Sequence, residues 1–238
     1  MMKVTVLGTG SIYSKSNSSS LLLDENILVG VGPSVVKYLI RNKYDLLKID
    51  NIILTHLHSD HILDFPTFIV NVDELGLSHK INVYAPKDAK RKILDLLNIL
   101  YGDWFDKFID SYFNFIEIFD NFNFRIDDYE FKVKEVKHLG IVSYGFIINN
   151  GLGISGDTAM CDGVREIIKH SKVIVTDCSF VKGNDYHMGI DDIKILIDDY
   201  PNRNLVLTHF RDQTRDILMK QDLKDVLIVD DGYNLEVE

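Results

Sequence analysis

The feature that most constrains this chain is a run of four potential metal ligands directly after an apolar stretch: His56, His58, Asp60 and His61. Imidazole and carboxylate donors together suit Zn²⁺, Mn²⁺ or Fe²⁺, with zinc the first choice for so many imidazoles. In extended backbone, His56 and His58 point to one side, and a turn would carry Asp60 and His61 to a second position. The run therefore predicts that one loop serves two metal ions, although Asp60 alone would also suit the N-cap of a following helix.

The apolar stretch before this run has a counterpart near the other end of the chain. Residues 51–56 read NIILTH and residues 204–209 read NLVLTH. Each is a strand-like run that ends in a Thr-His pair. The repetition predicts that His56 and His209 lie at equivalent strand ends and face one cleft.

Strand and helix signals alternate over the rest of the chain. Helical spacing predicts helices over residues 34–42, 68–77, 87–101, 162–170 and 189–199, with one more near the end. Strand signals fill most of the intervals, and those between residues 113 and 155 predict a meander. Two packed sheets with helices on both outer faces, a four-layer α/β/β/α sandwich, would bury these elements. No linker divides the chain, so we predict a single domain over residues 1–238.

Composition and charge exclude several classes of protein. Hydrophobic residues make up 46% of the chain and charged residues 26%, as in globular domains, and no apolar run approaches the roughly 18 residues of a membrane span. A formal net charge of −10 opposes broad attraction to nucleic acid or anionic lipid. Two cysteines, Cys161 and Cys178, are too few for a disulfide framework, so we expect a cytoplasmic protein that makes no membrane contact.

The run from His56 to His61 resembles the H-x-H-x-D-H signature of the metallo-β-lactamase superfamily, and the resemblance extends from Gly8 to His209. It implies two divalent metal ions in the cleft between the sheets and three further ligands at strand ends. Taken singly, two of those three, His138 and Asp157, would be ordinary strand-end and turn residues. The implied ligands of one ion are His56, His58 and His138, those of the other are Asp60, His61 and His209, and Asp157 is implied to bridge the two.

Within the superfamily, the chain is most similar to the branch of tRNase Z and related phosphodiesterases. The shared features are GTGS at residues 8–11, SYGF at 143–146, GDTAMC at 156–161, and His187 upstream of the last ligand. In that branch a histidine at the position of His187 touches the scissile phosphate and assists proton transfer. The resemblance thus implies a catalytic role for a residue that would otherwise be taken for a neighbour of a helix cap.

Two departures from the branch limit what the resemblance implies. Only 18 residues separate His138 from Asp157, where bacterial tRNase Z inserts a long Gly-rich and basic arm that grips the tRNA. The branch also tends to place an aspartate where this chain has Gly30, at a position that helps to hold the histidine loop. We therefore expect other groups to orient the ligands here.

These residues combine into a mechanistic hypothesis. Two ions about 3.5–4 Å apart lower the pKa of bound water toward about 7 and stabilise both the attacking and the leaving oxygen. We expect hydroxide to attack phosphorus, Asp60 to orient or deprotonate it, and His187 to stabilise charge or protonate the leaving alkoxide. Asp177 is a candidate partner of this machinery.

The missing arm and the acidic charge favour a small phosphodiester substrate, such as a cyclic nucleotide or a sugar cyclic phosphate, over folded tRNA. Three alternatives stay open: tRNA 3′ processing with RNA as partner, hydrolysis of an ester, thioester or lactone, and a non-catalytic metal-binding interaction module. Ten aromatic residues lie between residues 101 and 124. These residues predict one of two arrangements: either they pack in the core beneath a covering helix, or they form an exposed surface that serves as a lid or a dimer contact. We predict a homodimer.

Overall fold

Two sheets of seven strands each run through the protein, and the computed structural model describes all residues from 1 to 238. In chain order the strands are β1 Met2–Gly8, β2 Ser20–Leu23, β3 Ile27–Val29, β4 Asn51–Ile53, β5 Ile81–Ala85, β6 Phe113–Glu117, β7 Asn123–Ile126, β8 Tyr129–His138, β9 Ile141–Ile148, β10 Leu152–Ile154, β11 Val173–Asp177, β12 Asn204–Thr208, β13 Val226–Ile228 and β14 Tyr233–Val237. The helices are α1 Val35–Arg41, α2 Ser59–Ile62, α3 Phe65–Glu74, α4 Ala89–Tyr101, α5 Asp106–Tyr112, α6 Asp162–Lys169, α7 Ile190–Asp199 and α8 Asp212–Leu218, and short 3-10 turns cover Leu46–Lys48 and Gly102–Phe105.

The first sheet has the order β14-β1-β2-β3-β4-β5-β6, and the second has the order β13-β12-β11-β10-β9-β8-β7. Strands β3 to β6 run parallel, as do β10 to β13, because helices connect them across the outer faces. Strands β7 to β10 form an antiparallel meander. The predicted meander was therefore wrong for β6, which pairs in parallel with β5 because the crossover through α4 and α5 returns the chain to the first sheet.

Three apolar layers hold the sheets and helices together. The central layer lies between the sheets and joins residues such as Val6 and Phe146 from opposite sides. On the outer faces, Phe68 and Ile93 pack helices against the first sheet, and Ile193 packs a helix against the second. This arrangement is the predicted four-layer sandwich, and it explains why the central parallel strands are apolar at nearly every position.

One helix begins earlier than predicted, and two, the short α2 and α5, were not predicted. Helix α3 starts at Phe65 rather than near residue 68, because Pro66 stands in the first turn, where its missing N–H is not needed. Helix α5 lies within the aromatic-rich stretch, and several of its aromatic neighbours pack into the core, among them Phe105 and Phe113. Trp104 is 78% exposed. Among the helices, none has both the length and the apolar character that crossing a membrane requires.

Candidate metal centre and active site

The loop after β4 and the carboxyl ends of several second-sheet strands meet in one place. Two groups of potential ligands lie there, and within each group the ligand atoms are no more than 4.8 Å apart. The group that we call the imidazole position comprises His56, His58 and His138. The group that we call the carboxylate position comprises Asp60, His61, Asp157 and His209. The structure thus brings together all seven residues that the resemblance implied as ligands.

Asp157 lies between the two positions. Its Oδ2 is 3.0 Å from His209 Nε2 and 3.1 Å from His61 Nε2, both in the carboxylate position. The same oxygen is 3.7 Å from His56 Nε2 in the imidazole position. A carboxylate with this placement can contribute to two metal ions at once, as a bridging ligand must.

The residues present fit a metal pair. His56 is 0% exposed, and its Nε2 has no hydrogen-bond partner although it is buried. A buried nitrogen without a partner costs free energy unless something binds its lone pair, and a divalent ion does so. His138 Nε2 and His58 Nδ1 face each other at 3.0 Å, a separation that two ligands of one ion can occupy.

Groups around the cluster orient three of its histidines. The carbonyl oxygen of Tyr186 can only accept, so His138 donates to it from Nδ1 at 2.9 Å and keeps the Nε2 lone pair free. His56 Nδ1 lies 3.0 Å from Thr55 Oγ1, and His209 Nδ1 lies 2.7 Å from a serine hydroxyl, Ser179 Oγ. Such partners orient imidazole rings and raise their basicity toward a metal.

Gly30 adjoins a small cavity beneath the carboxylate position. The cavity has a volume of about 30 Å³, and its walls include Gly30, His61 and Asp157. The glycine has φ +78°, and a Cβ there would lie 3.1 Å from the carbonyl oxygen of Ser19. No carboxylate reaches this spot from residue 30, and the ligands are instead oriented by the groups described above.

The carboxylate of Asp177 links His187 to the cluster. Asp177 Oδ2 accepts from His187 Nδ1 at 2.7 Å, and its Oδ1 accepts from the hydroxyl of Ser179 at 2.7 Å. Burial lowers the pKa of His187, but the charge and hydrogen bond of Asp177 outweigh it, so that this pKa lies above its usual value. The His187 ring centroid is 4.8 Å from that of His138 and 5.1 Å from that of His209. His187 is therefore a protonatable group beside both positions.

Five of the ligand residues line a cavity of about 370 Å³ together with His187, and they are His58, Asp60, His138, Asp157 and His209. Aromatic and apolar side chains at its walls are Ile12, Tyr13, Leu139, Phe180 and Tyr186. Several of them are largely exposed, most of all Tyr13 at 71%. The cavity is large enough for a small organic molecule and combines an apolar rim with a polar floor.

Two residues of this site, Ser179 and Arg211, were not predicted from the sequence, and two other histidines lie outside it. The signal for Ser179 is its position, since a serine two residues after Asp177 at a strand end can point to the same side. Arg211 lines the cavity. His79 and His170 lie outside the cluster and pair with Asp50 and Glu166 respectively. Both cysteines are free thiols.

The sequence model of a protein family described as "Anti-Pycsar protein Apyc1" matches residues 2–230 of this chain. A curated relative named ribonuclease Z, from Methanococcus maripaludis strain C7, is 35% identical over 105 residues, covering 42% of this chain and 34% of the relative. The match thus spans about a third of the relative's length. The relative supports the ribonuclease Z-like resemblance that the sequence motifs indicated.

Two solved structures confirm the fold. A diphosphatase of the PhnP family gives a TM-score of 0.81 at 18% identity, covering 100% of this chain and 98% of that chain. The short form of human tRNase Z gives a TM-score of 0.76 at 19% identity, covering 99% of each chain. The protein has the metallo-β-lactamase fold that its histidine motif predicted.

Proposed function

Because this chain belongs to the anti-Pycsar protein Apyc1 family, we propose that it is a metal-dependent phosphodiesterase that hydrolyses a small or cyclic phosphodiester. The observation that carries the proposal is the convergence of the seven ligand residues at one place, beside a cavity that five of them line together with His187, the partner of Asp177. The proposed enzyme is a single domain over residues 1–238, working in the reducing cytoplasm, where its two cysteines stay as thiols.

Two divalent ions, with zinc as first choice and manganese or iron as alternatives, would bind at the imidazole and carboxylate positions with Asp157 shared between them. When bound, such a pair supplies an ionisable water at neutral pH and neutralises charge on the phosphate oxygens. The imidazole-rich ligand set supports zinc.

Asp60 and His187 are the side chains that would orient water and transfer a proton in the reaction. Burial raises the pKa of Asp60, but the hydrogen bond from His209 and the charge of His61 outweigh it and lower the pKa to about 2. Asp60 is therefore ionised and can orient a water molecule through its carboxylate. His187, held at Nδ1 by Asp177, keeps a proton at Nε2 that it can donate to the leaving alkoxide.

The surroundings of the cavity support a small substrate. Strands β9 and β10 and short connections of two or three residues make up the interval between His138 and Asp157, so no arm projects there. The exposed ring of Tyr13 at the rim offers a stacking surface for a planar group such as a nucleobase. A cyclic nucleotide would bring both the phosphodiester and the planar group.

The second candidate function is tRNA 3′ processing, which the relatives named ribonuclease Z favour. Folded RNA needs cationic surface to meet its phosphates. A basic cluster stands at the start of α4, formed by Lys87, Lys90, Arg91 and Lys92. It is partly neutralised, because Lys90 pairs with Asp110 and Arg91 with Asp95. We therefore place this function second.

A substrate panel with metal analysis tests the proposal. We expect about two ions per chain and hydrolysis of cyclic nucleotides in preference to precursor tRNA and to neutral esters, thioesters and lactones. Cleavage of precursor tRNA without turnover of small diesters would favour the ribonuclease, and ester turnover alone would favour an acyl hydrolase. A protein that holds two ions and hydrolyses none of these compounds would be a binding module.

We also propose a homodimer formed through the exposed apolar surface where α4 ends. Four large side chains there are exposed: Ile99, Leu100, Tyr101 and Trp104. Exposed apolar groups clustered in this way often mark protein interfaces. We expect twice the chain mass in solution and a shift to monomer in Trp104→Glu, and a monomeric wild-type protein would overturn the proposal.

A further inference from the structure

The guanidinium group of Arg211 lies between two aromatic rings at the cavity. Its central carbon is 4.6 Å from the ring centroid of Tyr13 and 4.1 Å from that of Phe180. Both distances are within the range of cation–π contacts. With a ring near each side, the guanidinium is held in place, and its in-plane N–H donors are the groups that remain to bind a ligand.

No protein group accepts a hydrogen bond from these donors. Asp212, the next residue, is engaged by the hydroxyl of Ser14 at 2.9 Å and the backbone N–H of Lys15 at 3.1 Å. The other nearby arginine, Arg215 in the last turn of α8, forms an ion pair with Asp230. The side chain of Arg211 forms neither a hydrogen bond nor a salt bridge within the chain, which leaves its fork of donors available.

Arg211 is also the only lysine or arginine that lines the 370 Å³ cavity. Its wall also holds the carboxylates Asp60 and Asp157, His187, and three histidines of the cluster. In a chain of net charge −10, an anionic substrate needs a local positive group beyond the metal ions. A guanidinium matches the paired oxygens of a phosphate in geometry as well as in charge.

We propose that Arg211 binds the anionic oxygens of the substrate's phosphodiester and thereby selects phosphodiesters over neutral esters, with Tyr13 and Phe180 as its positioning residues. The inference rests on the proposed function, since it assigns the recognition of that substrate class. Arg211 would contact the anion in the ground state and the transition state alike, so its removal should raise KM more than it lowers kcat.

The test compares Arg211→Gln with Arg215→Gln, a neighbouring arginine paired outside the cavity. Bis(p-nitrophenyl) phosphate is the anionic probe and p-nitrophenyl acetate the neutral one. We expect Arg211→Gln to raise KM for the diester by about 10- to 100-fold, as for a lost charge-assisted hydrogen bond. Hydrolysis of the acetate by Arg211→Gln, and both activities of Arg215→Gln, should stay at the wild-type level. Equal diester KM values in the two variants would overturn the inference.

A binding measurement separates this inference from the proposed function. Titration of the metal-loaded protein with inorganic phosphate should show weaker binding by Arg211→Gln than by Arg215→Gln. If the wild type failed to hydrolyse diesters yet showed this difference, the proposed function would be wrong and the role of Arg211 as an anion-binding residue would stand. Equal phosphate affinities would overturn that role whatever the activity.

Folding of the variants is controlled in two ways. Thermal unfolding of each variant checks its stability, and Arg211→Lys provides a second substitution that keeps the charge and loses the planar fork. We expect Arg211→Lys to raise KM for the diester less than Arg211→Gln does. A diester KM for Arg211→Lys equal to that of the wild type, with Arg211→Gln unable to fold, would count against the proposed fork contact.

Discussion

His56 and His209 end two strands of nearly the same sequence, yet their surroundings differ sharply. His56 adjoins other histidines, and burial together with His61 holds its pKa well below the usual value. Burial also lowers the pKa of His209, but the charge of Asp157 and the hydrogen bonds that His209 donates to carboxylates hold it well above the usual value. His209 further adopts φ +57°, a left-handed conformation that non-glycine residues seldom use. The same local pattern thus serves an imidazole position and a carboxylate position.

Similar local sequences thus place the two histidines in equivalent parts of the fold. The protonation state of each histidine depends instead on residues that are distant in the chain. A neutral histidine set offers lone pairs without offsetting an ion's charge. The carboxylate position adds Asp60 and Asp157, which offset much of the charge of a divalent ion. The two positions should therefore respond differently to substitution.

The largest effect should follow from removing the residue that joins the two positions. Asp157→Ala takes a carboxylate from both, so we expect metal content to fall from about two ions per chain to one or fewer and diester hydrolysis to fall by about 10³-fold or more. Metal analysis after dialysis and turnover measurements check this. Asp216→Ala, an exposed aspartate of α8, is the matched control. Retention of two ions and full activity in Asp157→Ala would show that the positions are not joined.

The second largest effect should follow from removing the proton donor while both positions keep their metal ions. His187→Ala should lower kcat for a cyclic nucleotide by about 10²- to 10⁴-fold without loss of metal. The loss should be smaller for bis(p-nitrophenyl) phosphate, whose leaving group needs less protonation. His170→Ala, which removes a histidine paired with Glu166 outside the cavity, should behave like the wild type. An unchanged rate with both substrates would remove His187 from the mechanism.

The fold and the metal-ligand cluster could be predicted from the sequence, because the patterns that indicate them lie within short stretches of the chain. The run from His56 to His61 is contiguous, and the strand pattern around it depends on apolar runs that are buried wherever the sheet lies. Ser179 and Arg211 escaped prediction because their roles depend on partners brought near by folding, His209 for the first and Tyr13 for the second. The wrong partner for β6 has the same origin, since pairing is decided by a crossover that strand propensity does not reveal.

Two conservative substitutions should each change the metal affinity of one position and leave the other unchanged. Ser179→Ala removes the hydroxyl beside His209 Nδ1, and Thr55→Val removes the one beside His56 Nδ1. Each should weaken metal binding at its own position by about 10- to 100-fold and leave the other position near the wild-type affinity. Metal titrations of the two variants check this, each variant serving as the control for the other. Identical titration curves would show that the positions do not bind independently.

The smallest effect is expected in the metal-free protein. There, His56 and His209 change the stability of the fold in opposite directions as the pH changes. The pKa of His56 lies well below 6.5, so its contribution to stability is complete above about pH 6.5 and declines below it. The pKa of His209 lies well above 6.5, so its contribution is complete below about pH 6.5 and is lost as the pH rises through the folded-state pKa.

Thermal unfolding of the metal-free protein as a function of pH measures this opposition. We expect the unfolding temperature to decline on the alkaline side of neutrality, and His209→Asn to flatten that decline by about a few degrees. His79→Asn, a substitution outside the cluster, should leave the alkaline decline in place. If the decline persisted unchanged in His209→Asn, the assigned charge of His209 would be wrong.

The most direct test of the whole account is the location of metal ions in crystals of the metal-loaded protein by anomalous diffraction. The account predicts two peaks about 3.5–4 Å apart. One peak should lie among His56, His58 and His138, the other among Asp60, His61 and His209, with an oxygen of Asp157 bonded to each. A single peak, or two peaks of which only one contacts Asp157, would contradict it.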